Sequence, residues 1–279
     1  MRILVRTSRW AIWARRLGNF ALPLAVIPIL MHRAEAINTL TFEVAEALAI
    51  VVALAAIIAA ISGLVRIWVT GDHGWNRALT GLACGLVCLV PPAYWAVQYV
   101  RYPAVAEVST APGDPPPLIS AAPPPLDAAD LARVEAAFPN AKSRNYPISA
   151  AQAFSLVNAL VIDRGWQVEQ RREPRDDGTD GQLNAIALTM FGFHVEVAIR
   201  VRATADGSAT VDMRSVALTG LHEPGANGRR VEEFLAALDT KVSTMMQDEP
   251  AGTADDGDAD TTQSPASRPV TPMPHNRKR

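Results

Sequence analysis

The sequence predicts an α+β protein, with three N-terminal transmembrane helices followed by a small antiparallel-sheet domain of helix, four strands and helix. Two observations favour this fold class. Three long apolar stretches lie within residues 1–102, and residues 126–247 change from the helical spacing of apolar residues to the alternation typical of strands, and back. A chain of 279 residues is long enough for a membrane unit and one domain with its own core.

Two of the apolar stretches have the length and composition of membrane spans. Residues 44–69 contain one acid, Glu46, near their start, and residues 78–100 carry no charge and end among tyrosines and a tryptophan suited to the headgroup boundary. About 20 apolar residues are enough to cross the hydrocarbon core. We expect both stretches to span a membrane and Glu46 to reach water at the edge of its span.

The first apolar stretch, residues 17–31, is shorter and contains Pro23 and Pro28. It fits a tilted span, a re-entrant piece or the apolar core of a signal sequence. The sequence Ala34-Glu35-Ala36 follows it and has the small-x-small pattern of a cleavage site. The three interpretations stay open, and the predicted fold counts this stretch as a membrane span.

Basic residues set the expected orientation. Five arginines precede the first stretch: Arg2, Arg6, Arg9, Arg15 and Arg16. Cytoplasmic ends of spans carry an excess of Lys and Arg, so we expect the amino terminus in the cytoplasm. Three spans then carry the C-terminal domain to the periplasm. The sequence thus predicts a multi-pass protein of the cytoplasmic (inner) membrane, with the lipid bilayer as a partner.

Small residues recur on the predicted spans. Ala45, Ala49 and Ala53 form one row, and Gly81 and Gly85 form a Gly-x-x-x-Gly motif. Such rows let helix backbones approach closely in lipid, so we expect them to pack the spans together.

The charge and cysteine distributions exclude several classes of function. Residues 1–103 carry a formal charge of +5 and residues 104–279 carry −7, which gives the net charge of −2. A C-terminal part that is net acidic argues against nucleic acid as a partner. Both cysteines, Cys84 and Cys88, lie in the third apolar stretch, so the C-terminal domain has neither a disulfide framework nor a cysteine zinc site. We expect no metal and no cofactor.

Two segments around the domain are rich in residues that resist regular structure. Residues 103–125, the proline-rich segment, contain Pro115-Pro116-Pro117 and Pro123-Pro124-Pro125, which favour an extended polyproline II backbone. We expect this segment to be a semi-rigid linker. Residues 248–279 hold few apolar residues, and we expect a disordered tail.

The domain between them shows two kinds of periodicity. Helical spacing covers 127–138, 149–163 with Ser149 as N-cap, and 229–246. Strand patterns cover 166–172, 183–190, 195–202 and 209–218. This order predicts an antiparallel sheet with the helices on its apolar face.

The last two strands place charged residues on the opposite face. If Asp206-Gly207-Ser208 is a three-residue hairpin loop, Arg200 faces Arg214, and the two need a nearby anion, which Asp212 and Glu196 can supply. One interpretation is an exposed ion-pair network. The other is a groove in which arginines hold an anionic ligand. The residues of this candidate groove are Arg200, Arg202, Asp212, Arg214 and Ser215.

The same region carries a family resemblance. The motif comprises Asp212-Met213-Arg214-Ser215, Gly220, Glu223-Pro224-Gly225, Asn227 and Arg230. It resembles the signature of the bacterial family known as domain of unknown function 1499, whose members commonly follow several membrane spans. Upstream, Ser109-Thr110 and Pro115-Pro116 are similar to that family's linker signature, and Glu107 stands where the family has an aspartate. The resemblance covers residues 103–245 and implies a fold and a location, but no reaction.

The signature loop has two physical interpretations. In the first it shapes the start of the last helix, with Asn227 as the N-cap and Gly225 at a positive φ. In the second the helix N-terminus, beside Arg229 and Arg230, forms an anion site.

Three functions remain to be compared. The first is a membrane-anchored periplasmic binding or scaffolding protein, and it needs only the features above. Its partner would be an envelope protein or a small anionic ligand. An envelope enzyme of hydrolase type is an alternative, but Ser215 has no evident His and Asp companions. An accessory subunit of a transport system would need polar groups within the spans. The sequence favours the binding protein, and a non-enzymatic role.

Overall fold

A computed structural model describes residues 7–175, 178–219 and 224–248. The N-terminal helices are α1 (Arg9–Arg33), α2 (Thr39–Thr70), α3 (Trp75–Cys88) and α4 (Val90–Arg101). α3 and α4 form one apolar stretch that is interrupted at Leu89, because Pro91 and Pro92 open α4 and have no N–H to donate to the preceding turn. The three apolar helices Arg9–Arg33, Thr39–Thr70 and Trp75–Arg101 are long enough to cross a membrane, as predicted.

Small residues bring these helices into backbone contact. A Cβ added at Gly81 would lie 2.4 Å from the carbonyl carbon of Ala14 in α1, and one added at Gly85 would lie 3.0 Å from the carbonyl oxygen of Ala53 in α2. The Gly-x-x-x-Gly motif therefore packs α3 against its own neighbours. Because α1 is a complete helix in contact with both α2 and α3, it fits a span better than a re-entrant piece.

The environment of Glu46 differs from the expected one, in which its carboxylate reaches water at the edge of the span. Its Oε1 atom is buried and has no hydrogen-bond partner among the described residues. The reason is local packing, since Trp95 of α4 and Phe191 of the C-terminal domain lie beside this turn of α2 and line a cavity with it.

The C-terminal domain is built on a six-stranded antiparallel sheet. Its elements are β1 (Glu107–Ser109), α5 (Ala128–Ala137), β2 (Arg144–Tyr146), α6 (Ala150–Asp163), β3 (Gln167–Arg172), β4 (Gly181–Leu188), β5 (His194–Ala203), β6 (Ala209–Ala217) and α7 (Ala226–Asp248). The strand order is β1-β6-β5-β4-β3, and β2 also pairs with β6. The α+β class is confirmed. Sequence periodicity missed β1 and β2 because each has three residues, too few to show alternation.

The two faces of the sheet are covered differently. The apolar face of β5, formed by Val195, Val197, Ile199 and Val201, packs against α6, and α7 packs against the neighbouring β6 and β1. The helices thus cover the apolar face of the sheet, as predicted. Ser149 caps α6 with a complete capping box involving Gln152. The opposite face carries polar and charged side chains, and the proline-rich segment lies over it.

The domain is docked onto the end of the helix bundle. The loop between β4 and β5 inserts Phe191 and Phe193 among His32, Phe42 and Trp95. His32 Nδ1 donates to the Phe191 carbonyl at 2.8 Å. The α1–α2 loop and the domain thus lie at the same end of the bundle, which the expected orientation requires.

Substituting Gly81 tests the helix packing. In Gly81→Val the new methyl groups collide with the backbone of α1, and overpacking of this kind costs about 1–3 kcal/mol. We expect a lower thermal unfolding midpoint for the full chain in detergent. Ala83→Val, on the exposed side of α3, should leave the midpoint unchanged. Equal midpoints for both variants would contradict this packing.

Candidate functional site

The charged face of the sheet is buried beneath the proline-rich segment. Its polar members are Gln182, Asn184, Glu196, Arg200, Arg202, Asp212 and Arg214, and all but the partly exposed Arg202 are buried. Buried charges are costly unless they are paired. The pairing of each charged side chain therefore decides what this face can do.

Asp212 is the centre of one ion-pair cluster. This fully buried carboxylate accepts from Arg200 Nη2 at 3.0 Å and from Arg202 Nη2 at 2.7 Å, and from the Ser143 hydroxyl. Asp114 of the proline-rich segment completes the cluster, with Oδ2 3.0 Å from Arg200 Nη2. These carboxylates raise the pKa of Arg200 despite the desolvation by burial that would lower it.

The strand register explains this pairing and corrects the predicted one. Arg200 pairs with Asp212 rather than with Arg214, which lies opposite Ala198. The expected register was shifted by two residues, because Thr204 and Ser208 still pair across the turn and the loop is Ala205-Asp206-Gly207. The like-charge contact that we expected does not exist, since each arginine faces a carboxylate or a small residue.

Arg214 has a partner that the strand pattern did not reveal. Its Nε atom donates to Glu107 Oε2 at 3.2 Å, and its Nη2 atom donates to the same oxygen. Glu107 lies in β1, which pairs with β6. In the sequence, the one indication that Glu107 matters was its position in the linker signature of the family that the chain resembles.

Glu196 holds the proline-rich segment from the other side. Its carboxylate accepts from the backbone N–H of Ile119 at 2.7 Å, from the N–H and hydroxyl of Ser120, and from Asn184 Nδ2 at 2.9 Å. Burial alone would raise the pKa of Glu196, but these hydrogen bonds outweigh it and hold the pKa below its ordinary value. The expectation that Glu196 neutralises the arginines was wrong.

The proline-rich segment is therefore not a free spacer in the structure. It supplies strand β1, the anions Glu107 and Asp114, and the backbone groups that saturate Glu196. The arginines of the candidate groove are paired with carboxylates of the chain itself. Their use for an outside anion remains a hypothesis.

The signature residues form a second buried cluster, at the start of α7. Ser215 Oγ donates to Asn227 Oδ1 at 3.0 Å, Asn227 Nδ2 donates to the Ala106 carbonyl at 2.8 Å, and Arg230 Nη1 donates to both Asn227 Oδ1 and Ser215 Oγ. Asn227 lies within α7, so the predicted N-cap role is wrong. The cluster joins β6, α7 and the chain that follows α4.

Gly225 has the predicted positive φ, at 75°. A Cβ at this position would also lie 2.5 Å from Cγ of Tyr102, which follows α4. Arg229 lies over the Tyr102 ring, 5.2 Å from its centroid, so it is engaged within the chain. Gly220 and Glu223 lie outside the described residues, as do Arg2, Arg6 and the tail beyond Asp248.

A cavity of about 850 Å³ opens between the proline-rich segment and α5. Its lining residues are Glu107, Ser109, Thr110, Pro112, Pro115, Ala122, Pro123, Pro125, Leu126, Leu131, Val134, Glu135, Phe138, Ala141, Lys142, Ser143 and Arg214. The cavity combines an apolar wall from α5 with the Glu107–Arg214 pair. Sequence reasoning could not find it, because its walls meet only when the proline-rich segment folds back.

The described residues offer little for covalent or metal chemistry. No group of three or more His, Cys, Asp or Glu side chains among them could hold a metal ion. The Ser215 hydroxyl is buried and bonded to an amide and a guanidinium, neither of which acts as a general base.

Residues 107–238 match the profile of a family described as "Protein of unknown function (DUF1499)". The match begins at β1, so it includes most of the proline-rich segment. No curated protein matches the chain significantly.

Asp212→Asn tests the buried cluster. Removing this charge leaves Arg200 and Arg202 with a deficit of anions, and breaking a buried pair costs about 3–5 kcal/mol. We expect the free energy of unfolding to fall by this amount in denaturant titrations of the full chain in detergent. The titrations are followed by the fluorescence of Trp166, which stacks on Phe234 in the core, in a background in which the other five tryptophans are replaced by phenylalanine. Asp163→Asn, which removes an exposed partner of Lys241, should cost at most about 1 kcal/mol. Similar losses for both variants would contradict the central role of Asp212.

The pH dependence of stability tests Glu196. Because its pKa is lower in the folded protein than the ordinary 4.5, its carboxylate stabilises the fold above about pH 4.5, and this contribution is lost as the pH falls towards the folded value. In Glu196→Gln we expect a lower free energy of unfolding at pH 7 and a smaller further loss between pH 5 and pH 3. Glu169→Gln, on the exposed strand β3, should keep the wild-type pH dependence. An unchanged acid response in Glu196→Gln would exclude this assignment.

Proposed function

We propose that the DUF1499 family domain, to which residues 107–238 of this chain belong, acts here as a membrane-anchored binding module of the bacterial envelope. The apolar helices hold it in the cytoplasmic membrane, and the domain faces the periplasm. Its ligand is a small amphipathic molecule that occupies the cavity between the proline-rich segment and α5.

The observation that best supports this proposal is the composition of that cavity. One wall is apolar, with Leu131, Val134 and Phe138 of α5, and another presents the ion pair of Arg214 and Glu107. Ligand sites typically combine a mostly apolar lining with a few oriented polar groups, at volumes of about 300–1,000 Å³. Residues that carry the family resemblance, including Ser109, Thr110 and Arg214, also line it.

The ion pair limits the chemistry of the ligand. Arg214 is already neutralised by Glu107, so a strongly anionic ligand would have to displace an internal carboxylate. A ligand with hydroxyl, amide or zwitterionic groups can instead hydrogen-bond to both partners of the pair. We therefore favour an amphipathic ligand without a high net charge.

Two features support the periplasmic orientation. The arginines near the amino terminus favour a cytoplasmic start, and an odd number of spans carries the domain to the other side. The docking of the β4–β5 loop beside His32 and Phe42 is compatible only with a domain on the same side as the α1–α2 loop.

Cysteine labelling in intact spheroplasts tests the location. Ala136→Cys places a thiol on the exposed side of α5, while the native Cys84 and Cys88 lie within a span. We expect this variant to react with a membrane-impermeant maleimide before the cells are opened, and the wild type to stay unlabelled. Labelling of Ala136→Cys only after permeabilisation would overturn the orientation.

A second cysteine tests the cavity itself. Leu131→Cys lies on the same helix but lines the cavity. If a ligand occupies the cavity in the envelope, Leu131→Cys should react at least several-fold more slowly in spheroplasts than in washed, purified protein. Ala136→Cys should react equally in both, which controls for reagent access. Equal rates for Leu131→Cys in both preparations would exclude an occupied cavity without affecting the location.

A further inference from the structure

A second cavity, of about 510 Å³, lies between α2 and α4 at the end of the bundle where the domain docks. Its aromatic lining comes from Phe42, Trp95 and Tyr99 of the helices and Phe191 of the β4–β5 loop. Two carboxylates, Glu43 and Glu46, also line it, and none of its described lining residues is Lys or Arg. The cavity is thus mostly apolar, and the charged side chains that line it are both acidic.

Glu46 is the unusual member of this cavity. Its Oε1 atom is shielded from solvent and has no hydrogen-bond partner in the described part of the chain. An unsatisfied buried carboxylate oxygen costs free energy unless a donor from outside the chain reaches it. A cation held in the cavity beside this carboxylate would offset that cost.

The length of α2 indicates the depth of Glu46 in the bilayer. A helix of 32 residues is about 48 Å long, so about 9 Å extends beyond each side of a hydrocarbon core of about 30 Å if the helix is centred. Glu46 lies seven residues after the first residue of α2, at a depth of about 10 Å along the axis. This is the boundary between headgroups and acyl chains.

We propose that this cavity binds one phosphatidylethanolamine molecule, whose primary ammonium group pairs with the carboxylates of Glu43 and Glu46 that line it. A phospholipid ammonium is the cation available at this depth in a bilayer, and charge complementarity with Glu43 and Glu46 favours it over an anionic headgroup. Trp95 and Tyr99 supply aromatic faces that attract a cation, and the apolar remainder of the cavity accommodates the start of an acyl chain.

The proposed lipid also touches the C-terminal domain. Phe191 lines the cavity and packs against Trp95, with ring centroids 5.8 Å apart. The bound lipid therefore stabilises the docking of the β4–β5 loop onto the bundle. This site is separate from the cavity beside α5, so it does not depend on the proposed ligand of the domain.

Native mass spectrometry of the full chain in detergent, titrated with dioleoyl phosphatidylethanolamine or dioleoyl phosphatidylglycerol, tests the site. We expect the wild type to retain one phosphatidylethanolamine with an affinity about tenfold above that for phosphatidylglycerol. Phosphatidylcholine, whose headgroup cannot donate a hydrogen bond, should bind more weakly than phosphatidylethanolamine. In Glu46→Gln the preference should fall to near parity, while Glu169→Gln, which removes one exposed carboxylate elsewhere, should keep it.

A second variant separates loss of the site from loss of the fold. Ala47→Trp fills the cavity from its exposed side and should reduce binding of both lipids, with an unchanged thermal unfolding midpoint in lipid-free detergent. Equal wild-type binding of the two lipids, or an unchanged preference in Glu46→Gln, would overturn the proposal. It would also be overturned if the wild type bound no lipid and appeared as a dimer that Ala47→Trp dissociates, since a second copy would then occupy the cavity.

Discussion

Neutralising the buried charges on one face of the sheet is the constraint on which the domain depends. Asp212 has no exposed surface and accepts hydrogen bonds from two guanidinium groups. The charge of Arg214 is balanced by Glu107, and the charge of Glu196 is stabilised by backbone N–H groups. Burying any of these charged groups without its partner would cost several kcal/mol. The proline-rich segment supplies most of the partners, so the sheet and this segment must form as one unit.

The same logic explains why a segment so rich in proline belongs to the domain. Proline lacks an N–H and fits poorly within a sheet, but its carbonyl is a full acceptor. The Pro117 carbonyl accepts from Gln182 and Asn184, and the Pro116 carbonyl lies within 3.5 Å of Arg214 Nη1. An extended backbone without internal hydrogen bonds therefore suits a polar surface that is rich in donors.

The sequence predicted the regular elements well, and missed what depends on contacts distant in the chain. The helices and four long strands follow from periodicity. In the C-terminal domain the observed bounds differ from the expected ones by at most three residues, whereas α1 begins eight residues and α2 five residues earlier than expected. The register of β5 and β6 was misjudged because Thr204 and Ser208 continue the pairing, which residue types at the turn do not reveal. Asn227 has the side chain of an N-cap, yet its amide is used by Ser215 and Ala106, which lie 12 and 121 residues away. Glu196 and Asp114 likewise gained their roles from the folding back of the proline-rich segment.

The signature residues of this chain lie where the apolar helices meet the C-terminal domain. Gly225 is required by its φ and by the ring of Tyr102, and Ser215, Asn227 and Arg230 hold the start of α7 against β6 and the exit from the last apolar helix. These residues build the junction between the apolar helices and the domain. Phe138, at the C-terminal end of α5, stacks on Tyr102 of this junction, so the junction also fixes one end of the apolar wall of the cavity. Because function is determined by the site rather than by the fold, the proposed ligand would be selected by the other side chains of that wall, such as Leu131 and Val134.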